Sequence, residues 1–393
     1  MSDRLKNDPT VDVRTGVKVE NDFNRTVVVT LVDSGSGGGK PTSFGGSSAS
    51  FQKKREIEEL VGGVNINPYV SSELDTTSHL DGSLNKLADK YALLEDFASG
   101  GTARVSIARD RNLRRLVAIK SLKQGVEHNA DLLDAFVAEA KITAQLDHPG
   151  IIPIYELSGD DGNGVHLVMK LVDGKTLREY LRNTTLNYRI RGIETFDEAM
   201  MLRKRLEIFL RVCDTIAYAH HRNVVHRDLK PENIMIGKFM EVFVMDWGIA
   251  KVISEADGPG GTKVRLAGTP RYFAPEVLRR EPLDPRSDLF TLGLILQEVV
   301  TLQQAVQGKD EKDLMDKIVN GDICPIEHLY QWKIDRALQA IIRKATAYWP
   351  NDRYQTAEDL AEDLRRYMAG LTVSAVPESG WRKFLRKLFG NGQ

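Results

Sequence analysis

The stretch "VVHRDLKPENIMI" (residues 224–236) constrains this chain more than any other. Two apolar runs that read as short strands bracket a segment carrying His226, Arg227, Asp228, Lys230, Glu232 and Asn233. A lone Asp or Asn in such a connection is a turn residue. Asp228, Lys230 and Asn233 together exceed what a turn needs and describe a site. Thirteen residues after Asn233, the apolar run "VFVM" ends in Asp246, followed by Trp247 and Gly248. A carboxylate at the end of a buried strand suits a hard cation such as Mg2+, and the Asn233 amide oxygen is a second hard ligand. The fold must therefore bring residues 228–233 and 246 to one place.

That set suits phosphoryl transfer. The reaction needs positioning, neutralised phosphate charge and a group to receive a hydroxyl proton. Asp228 fits the last role, and Lys230 fits the moving phosphoryl group. A lysine is also needed on the nucleotide side. "LVAIK" places Lys120 at the end of a strand, where burial without a partner is costly. Glu139, in the helical "FVAEAKI", is the natural partner. Upstream, "FASGGTARV" (97–105) is a glycine-bearing turn between two strand-like runs, the kind of loop whose backbone N–H groups hold phosphate oxygens.

Bulk properties narrow the class. The 393 residues suffice for one large domain or two ordinary ones, and 41% hydrophobic with 28% charged is ordinary for a globular protein. A formal net charge of −1 argues against nucleic acid as partner. Cys213 and Cys324 are the only cysteines, which excludes a disulfide framework and a CxxC metal site and fits a reducing compartment. The start "MSDRLKNDPT" has no apolar run of a signal peptide, and no uncharged stretch reaches membrane-spanning length, so a cytoplasmic location is expected.

Residues 1–88 differ in texture from the rest of the chain and are expected to be a largely disordered extension. Within them "RTVVVTLV" (25–32) is strand-like and "SGSGGGKPTSFGGSSAS" (34–50) reads as a flexible linker. Lys40 after glycines imitates a phosphate-binding loop, but Ser34 and Pro41 break that pattern. Residues 91–370 read as one globular unit. Its first third is strand-rich with one helix at 130–146. "GVHLVMKLV" (164–172) is a strand again, and helices dominate afterwards. The expected architecture is α+β and two-lobed: a small β-rich lobe with one helix, then a larger, mainly α lobe. Residues 182–200 look like a long, solvated connection between two helices. Residues 371–393 form a tail. In it Trp381, Phe384, Leu385, Leu388 and Phe389 share one helical face, with Arg382, Lys383, Arg386 and Lys387 on the other. This basic amphipathic segment, 381–389, suits peripheral contact with an anionic membrane surface, at the inner face of the membrane.

The motifs and their order resemble those of eukaryotic-type serine/threonine protein kinases over residues 91–370: "VAIK", "HRDLKPEN", "DWG" and "APE". "VMDWG", "HRDLKPEN" and "YMAGLTVSA" look most like bacterial members. The resemblance implies the two-lobed kinase fold, with ATP as phosphoryl donor and protein Ser or Thr hydroxyls as acceptors. Mg2+, or Mn2+ in its place, would be held by Asn233 and Asp246. It assigns catalytic roles to Asp228, Lys230, Lys120 and Glu139. It implies that the nucleotide lies against Ala98, Ser99, Gly100, Gly101, Thr102, Ala103, Val105, Ala118 and Lys120. Met169 would gate the adenine pocket, with the hinge at Lys170–Val172. It further implies that Asp288 bonds the backbone around Asp228, and that Arg353 pairs with Glu276. Thr262 and Thr269 are candidate phosphate acceptors, Thr269 being better suited to a structural role beside Asp228. A homodimer phosphorylating itself in trans fits the family.

Two departures stand out. The family pattern GxGxxGxV falls on Ala98-Ser99-Gly100-Gly101-Thr102-Ala103-Arg104-Val105, so its first and third glycines are alanines. Alanine keeps the N–H but resists positive φ, and weaker ATP binding is expected. Trp247 stands where the family has Phe. A pseudokinase acting as scaffold or nucleotide sensor is the alternative, but Lys120, Asp228 and Asp246 are all present. A small-molecule kinase is disfavoured by the docking segment "GTPRYFAPE".

Overall fold

The computed structural model describes residues 87–99, 102–123, 129–160, 164–192, 198–247, 251–252, 269–282 and 284–376. A helical turn, α1 (Leu87–Lys90), leads into a five-stranded antiparallel sheet. Its strands are β1 (Tyr91–Ser99), β2 (Ala103–Asp110), β3 (Leu116–Leu122), β4 (Ile154–Asp160) and β5 (Gly164–Lys170), in the order β1-β2-β3-β5-β4. Helix α2 (Ala130–Gln145) lies between β3 and β4 in sequence. Asn129 starts it by accepting a hydrogen bond from the Leu132 N–H at 3.3 Å. Its apolar stripe of Phe136, Val137 and Ala140 packs on Leu122, Val165 and Leu167 of the sheet. This is the small lobe.

The larger lobe opens with β6 (Gly174–Thr176), helix α3 (Leu177–Arg191) and helix α4 (Glu198–His221). Short strands come next: β7 (Val224–Val225) pairs β10 (Lys251–Val252), while β8 (Ile234–Gly237) sits between β6 and β9 (Val242–Val244). The rest is helical: α5 (Pro275–Leu278), α6 (Arg286–Thr301), α7 (Glu311–Asn320), α8 (Arg336–Ala345) and α9 (Ala357–Met368). Every residue of α6 from Ser287 to Thr301 is buried, and its polar members Asp288 and Glu298 are hydrogen-bonded there to His220 and Tyr272. In α9, Ala357, Leu360, Ala361 and Leu364 recur at helical spacing and are all buried. Val373 joins the same core, so packed structure runs past Gly370.

One expectation is corrected. Residues 182–191 are no loop; they complete α3. A capping box starts that helix: Thr176 Oγ1 accepts from the Glu179 N–H at 3.2 Å and the Glu179 carboxylate accepts from the Thr176 N–H at 3.1 Å. Tyr188, in helical phase with Leu177 and Leu181, is buried with them in the large core. The polar residues between them are the helix's outer face. The strand-like run 25–32, the linker, Gly100, Gly101, Thr262 and the segment 381–389 lie outside the described residues.

Candidate active site

Lys120 reaches the site because strand side chains alternate. Ala118, Lys120 and Leu122 point to the α2 side of the sheet, where Glu139 is a buried residue of that helix. Lys120 Nζ donates to both Glu139 oxygens, at 2.6 and 2.8 Å, and to Asp246 Oδ1 at 3.3 Å. One ammonium thus bridges two carboxylates from different lobes. Burial opposes the Lys120 charge, but the two carboxylates outweigh it and raise its pKa. Burial pushes the Glu139 carboxyl up, while the Lys120 ammonium holds Asp246 below the usual carboxylate range. Asp246 stays ionised and its side chain is 42% exposed, so it is open to a cation.

Asp228 is held from several sides. Its Oδ1 accepts from the Thr269 N–H at 3.0 Å. Its Oδ2 accepts from Lys230 Nζ at 3.0 Å and from the Asn233 amide at 3.2 Å. The Asn233 amide also donates to the Asp228 carbonyl at 2.8 Å, which fixes the amide orientation and leaves its oxygen as acceptor. Lys230 Nζ donates again to Thr269 Oγ1 at 3.0 Å. Thr269 is therefore built into the site through both backbone and hydroxyl.

The loop is anchored from below by Asp288, at 1% exposure. Its carboxylate accepts from the His226 and Arg227 N–H groups at 2.8 and 3.0 Å, and meets His220 Nε2 at 2.9 Å. His226 is buried, and burial lowers its pKa. Its Nδ1 accepts from the Asp228 N–H at 3.3 Å, so Nε2 carries the proton and donates to the Met245 carbonyl at 3.0 Å. Its ring lies 4.5 Å from that of Trp247, itself 1% exposed and part of the core that holds Ile142 of α2. Trp247 is thus accommodated as a buried aromatic. Arg227 and Asp246 adopt φ of +70° and +61°, a conformation uncommon for non-glycine residues and concentrated at functional sites. Below Thr269, Arg353 clamps Glu276 through two bonds of 2.6 and 2.8 Å, both side chains fully buried.

Several of the residues that the resemblance assigns to the nucleotide lie on neighbouring strands of the small lobe's sheet. Ala118 faces Met169 across β3 and β5, and Val105 faces Lys120 across β2 and β3. Lys170 and Val172 continue the chain towards the second lobe, with Val172 buried against Ile152, Met235 and Phe243. Met235 was missed from sequence, yet it is 1% exposed and its cluster includes Met169, which makes it the candidate floor of the adenine slot. Its only sequence signal is its place two residues after Asn233. Ala98 and Ser99 pair with Val105 and Arg104, and Ala103 pairs with Leu122. Both alanines are in strands, an extended geometry that alanine adopts without strain, so resistance to positive φ gives no reason for weak ATP binding at either position.

Asn233 and Asp246 fit a hard divalent cation. They offer one amide oxygen and one carboxylate, and Mg2+ is commonly held by one or two such groups with substrate phosphates completing its shell. Among the described residues no group of three or more His, Cys, Asp or Glu forms another metal site, and no helix is long and apolar enough to cross a membrane.

The sequence profile described as "Protein kinase domain" matches residues 91–364. The chain belongs to the protein kinase family. Relatives within it include the serine/threonine-protein kinase PknD of Chlamydia trachomatis serovar D, 31% identical over 322 residues, covering 75% of this chain and 34% of the relative. PknD of Protochlamydia amoebophila is 32% identical over 300 residues, covering 72% and 30%. The serine/threonine-protein kinase PknB of Mycolicibacterium smegmatis is 33% identical over 292 residues, covering 74% and 44%. The chain spans about a third of the length of the PknD relatives it matches. Protein kinases use ATP, a divalent cation and protein substrates.

Proposed function

We propose that this chain is a serine/threonine protein kinase that transfers the γ-phosphoryl group of ATP to protein Ser and Thr hydroxyls. The observation that carries this reading is the bridging of Lys120 to both Glu139 and Asp246, beside an Asp228 fixed by Lys230, Asn233 and Thr269. Lys120 holds the α- and β-phosphates, and Glu139 keeps its side chain in place. The substrate hydroxyl hydrogen-bonds to Asp228, which orients its oxygen and accepts its proton as the new O–P bond forms. The bond from the γ-phosphorus to the bridging oxygen breaks, and ADP leaves. Lys230 offers a positive charge to the phosphoryl oxygens, a preorganised group of the kind that lowers such barriers. Asn233 and Asp246 would hold Mg2+, or Mn2+ in its place, which when bound neutralises phosphate charge. Autophosphorylation in trans between two copies, and contact of segment 381–389 with an anionic inner membrane face, belong to the same reading.

The test is incubation of the purified chain with γ-labelled ATP, Mg2+ and a generic acceptor such as casein, followed by phosphoamino-acid analysis. Label on phosphoserine or phosphothreonine, lost in Asp228→Asn, is expected. Folded protein that binds ATP yet labels neither itself nor casein contradicts the proposal and favours a nucleotide-sensing scaffold.

A further inference from the structure

Three methionines meet at the candidate adenine slot. Met169 on β5, Met235 on β8 and Met245, the residue after β9, pack in one cluster with Ile152, Val172 and Phe243. Nine of the 393 residues are methionine, yet three of the six side chains of this cluster are. They come from three separate elements, so no local run of sequence explains the grouping.

The backbone fixes where each one sits. Met169 lies opposite Ala118 across β5 and β3, and Met235 opposite Phe243 across β8 and β9. The Met245 N–H donates to the Asn233 carbonyl at 2.8 Å, and its own carbonyl accepts from His226 Nε2 at 3.0 Å. Met235 follows Asn233 by two positions and Met245 precedes Asp246 by one, so the thioethers border both candidate metal ligands. Their access to solvent differs. Met235 is 1% exposed, whereas Met169 and Met245 are half-buried. Met240, in the turn between β8 and β9 and outside the cluster, is 40% exposed.

Leucine has nearly the volume of methionine and would fill such a slot as well. What the thioether adds is reactivity: it is polarizable and is oxidised to a polar sulfoxide. A sulfur lone pair takes one oxygen of a hydroperoxide as the O–O bond breaks. The proton on the transferred oxygen passes to the departing hydroxide, which leaves as water. Sulfur is oxidised by two electrons and the hydroperoxide is reduced by two. The new S–O dipole stands in an apolar slot, where an unpaired polar group opposes binding of a flat base. We propose that Met169 and Met245 are a peroxide-sensitive modification site, and that their conversion to sulfoxides weakens ATP binding. The proposal rests on the reading of this slot as the adenine site.

The test treats the full chain with hydrogen peroxide, with and without MgATP. Mass spectrometry follows each methionine, and calorimetry gives the Kd for ATP. Dithiothreitol before each measurement returns Cys324, the partly exposed cysteine, to its thiol. Met169 and Met245 should each gain one oxygen, and Met235 should react last. MgATP at ten times its Kd leaves about a tenth of the sites open, so it should slow both reactions about ten-fold and leave Met240, the exposed reference, unchanged. The Kd should rise about ten-fold after oxidation with native circular dichroism, and return on treatment with methionine sulfoxide reductases. Met169→Leu with Met245→Leu, compared with itself, should keep its Kd through the same treatment. If that variant does not fold, protection by MgATP and reversal by the reductases decide. Met169 and Met245 unreacted while Met240 is oxidised, rates indifferent to MgATP, or an unchanged Kd after oxidation overturns the proposal. Untreated, folded protein that binds no ATP overturns the functional reading beneath it.

Discussion

Removing the Asp288 carboxylate is the most informative single perturbation of the scaffold. At 1% exposure it accepts from two backbone N–H groups at 2.8 and 3.0 Å and meets His220 at 2.9 Å. Asp288→Ala leaves both N–H groups buried without an acceptor, each worth about 1–3 kcal/mol, so the total loss should be about 3–5 kcal/mol. Asp288→Asn keeps the shape and one acceptor oxygen, and should cost roughly half that. The same two N–H groups belong to the residues just before Asp228. Their release shifts the catalytic carboxylate, and a misplacement of about 1 Å is worth about 100-fold in kcat. The pH dependence has a defined sign. Burial alone would raise the Asp288 pKa, but the bonds from His220 and the loop backbone outweigh it and lower the folded value. The stabilisation is therefore fully present above the unfolded-chain value of about 3.9 and is lost as pH falls through the lower folded one. Urea unfolding of wild type and both variants at pH 7 and pH 3, with kcat at pH 7, measures all three quantities. A loss below about 1 kcal/mol for Asp288→Ala with kcat within about two-fold of wild type would show that Asp288 does not anchor the catalytic loop.

Four further outcomes are expected. Glu139→Gln leaves Asp246 as the sole carboxylate on Lys120 and should raise KM for ATP about ten-fold with little change in Tm. Arg353→Met strands the buried Glu276 carboxylate and should cost about 3–5 kcal/mol in urea unfolding, while the double change with Glu276→Leu recovers much of it. Thr269→Val removes the hydroxyl that accepts from Lys230 and should lower kcat about ten-fold, whereas Thr269→Ser restores it. Ala98→Gly and Ala103→Gly should each leave the Kd for ATP within about two-fold of wild type by calorimetry, because both positions are strand; a marked tightening would show that the loop needs a conformation alanine resists.

The catalytic groups were legible because their chemistry is local: Asp228, Lys230 and Asn233 lie within six residues, and Lys120 at a strand end calls for a partner such as Glu139. What escaped is non-local or disguised. Nothing near Lys120 announces that Asp246 shares it, since the two are 126 residues apart. Arg178 looks like an ordinary surface residue of "TLREYL", yet it bonds Glu232 at 2.7 Å and also Glu298 and Tyr272, tying α3 to the catalytic segment, to α6 and to the chain after Thr269. Residues 182–191 read as a loop because Asn183, Thr184, Thr185 and Asn187 have weak helix propensity; the capping box and the burial of Tyr188 override them. The alanines of 97–105 look like a defect when a motif is compared letter by letter, and the strand pairing removes the penalty.

In the proposed reaction Asp228 acts on the acceptor hydroxyl while other residues hold the nucleotide. Comparing ATP affinity with the single-turnover transfer rate in wild type and Asp228→Asn tests it most directly. A Kd for ATP within about two-fold of wild type and a transfer rate lower by about 10²–10⁴-fold are expected. Transfer at the wild-type rate by Asp228→Asn would contradict it.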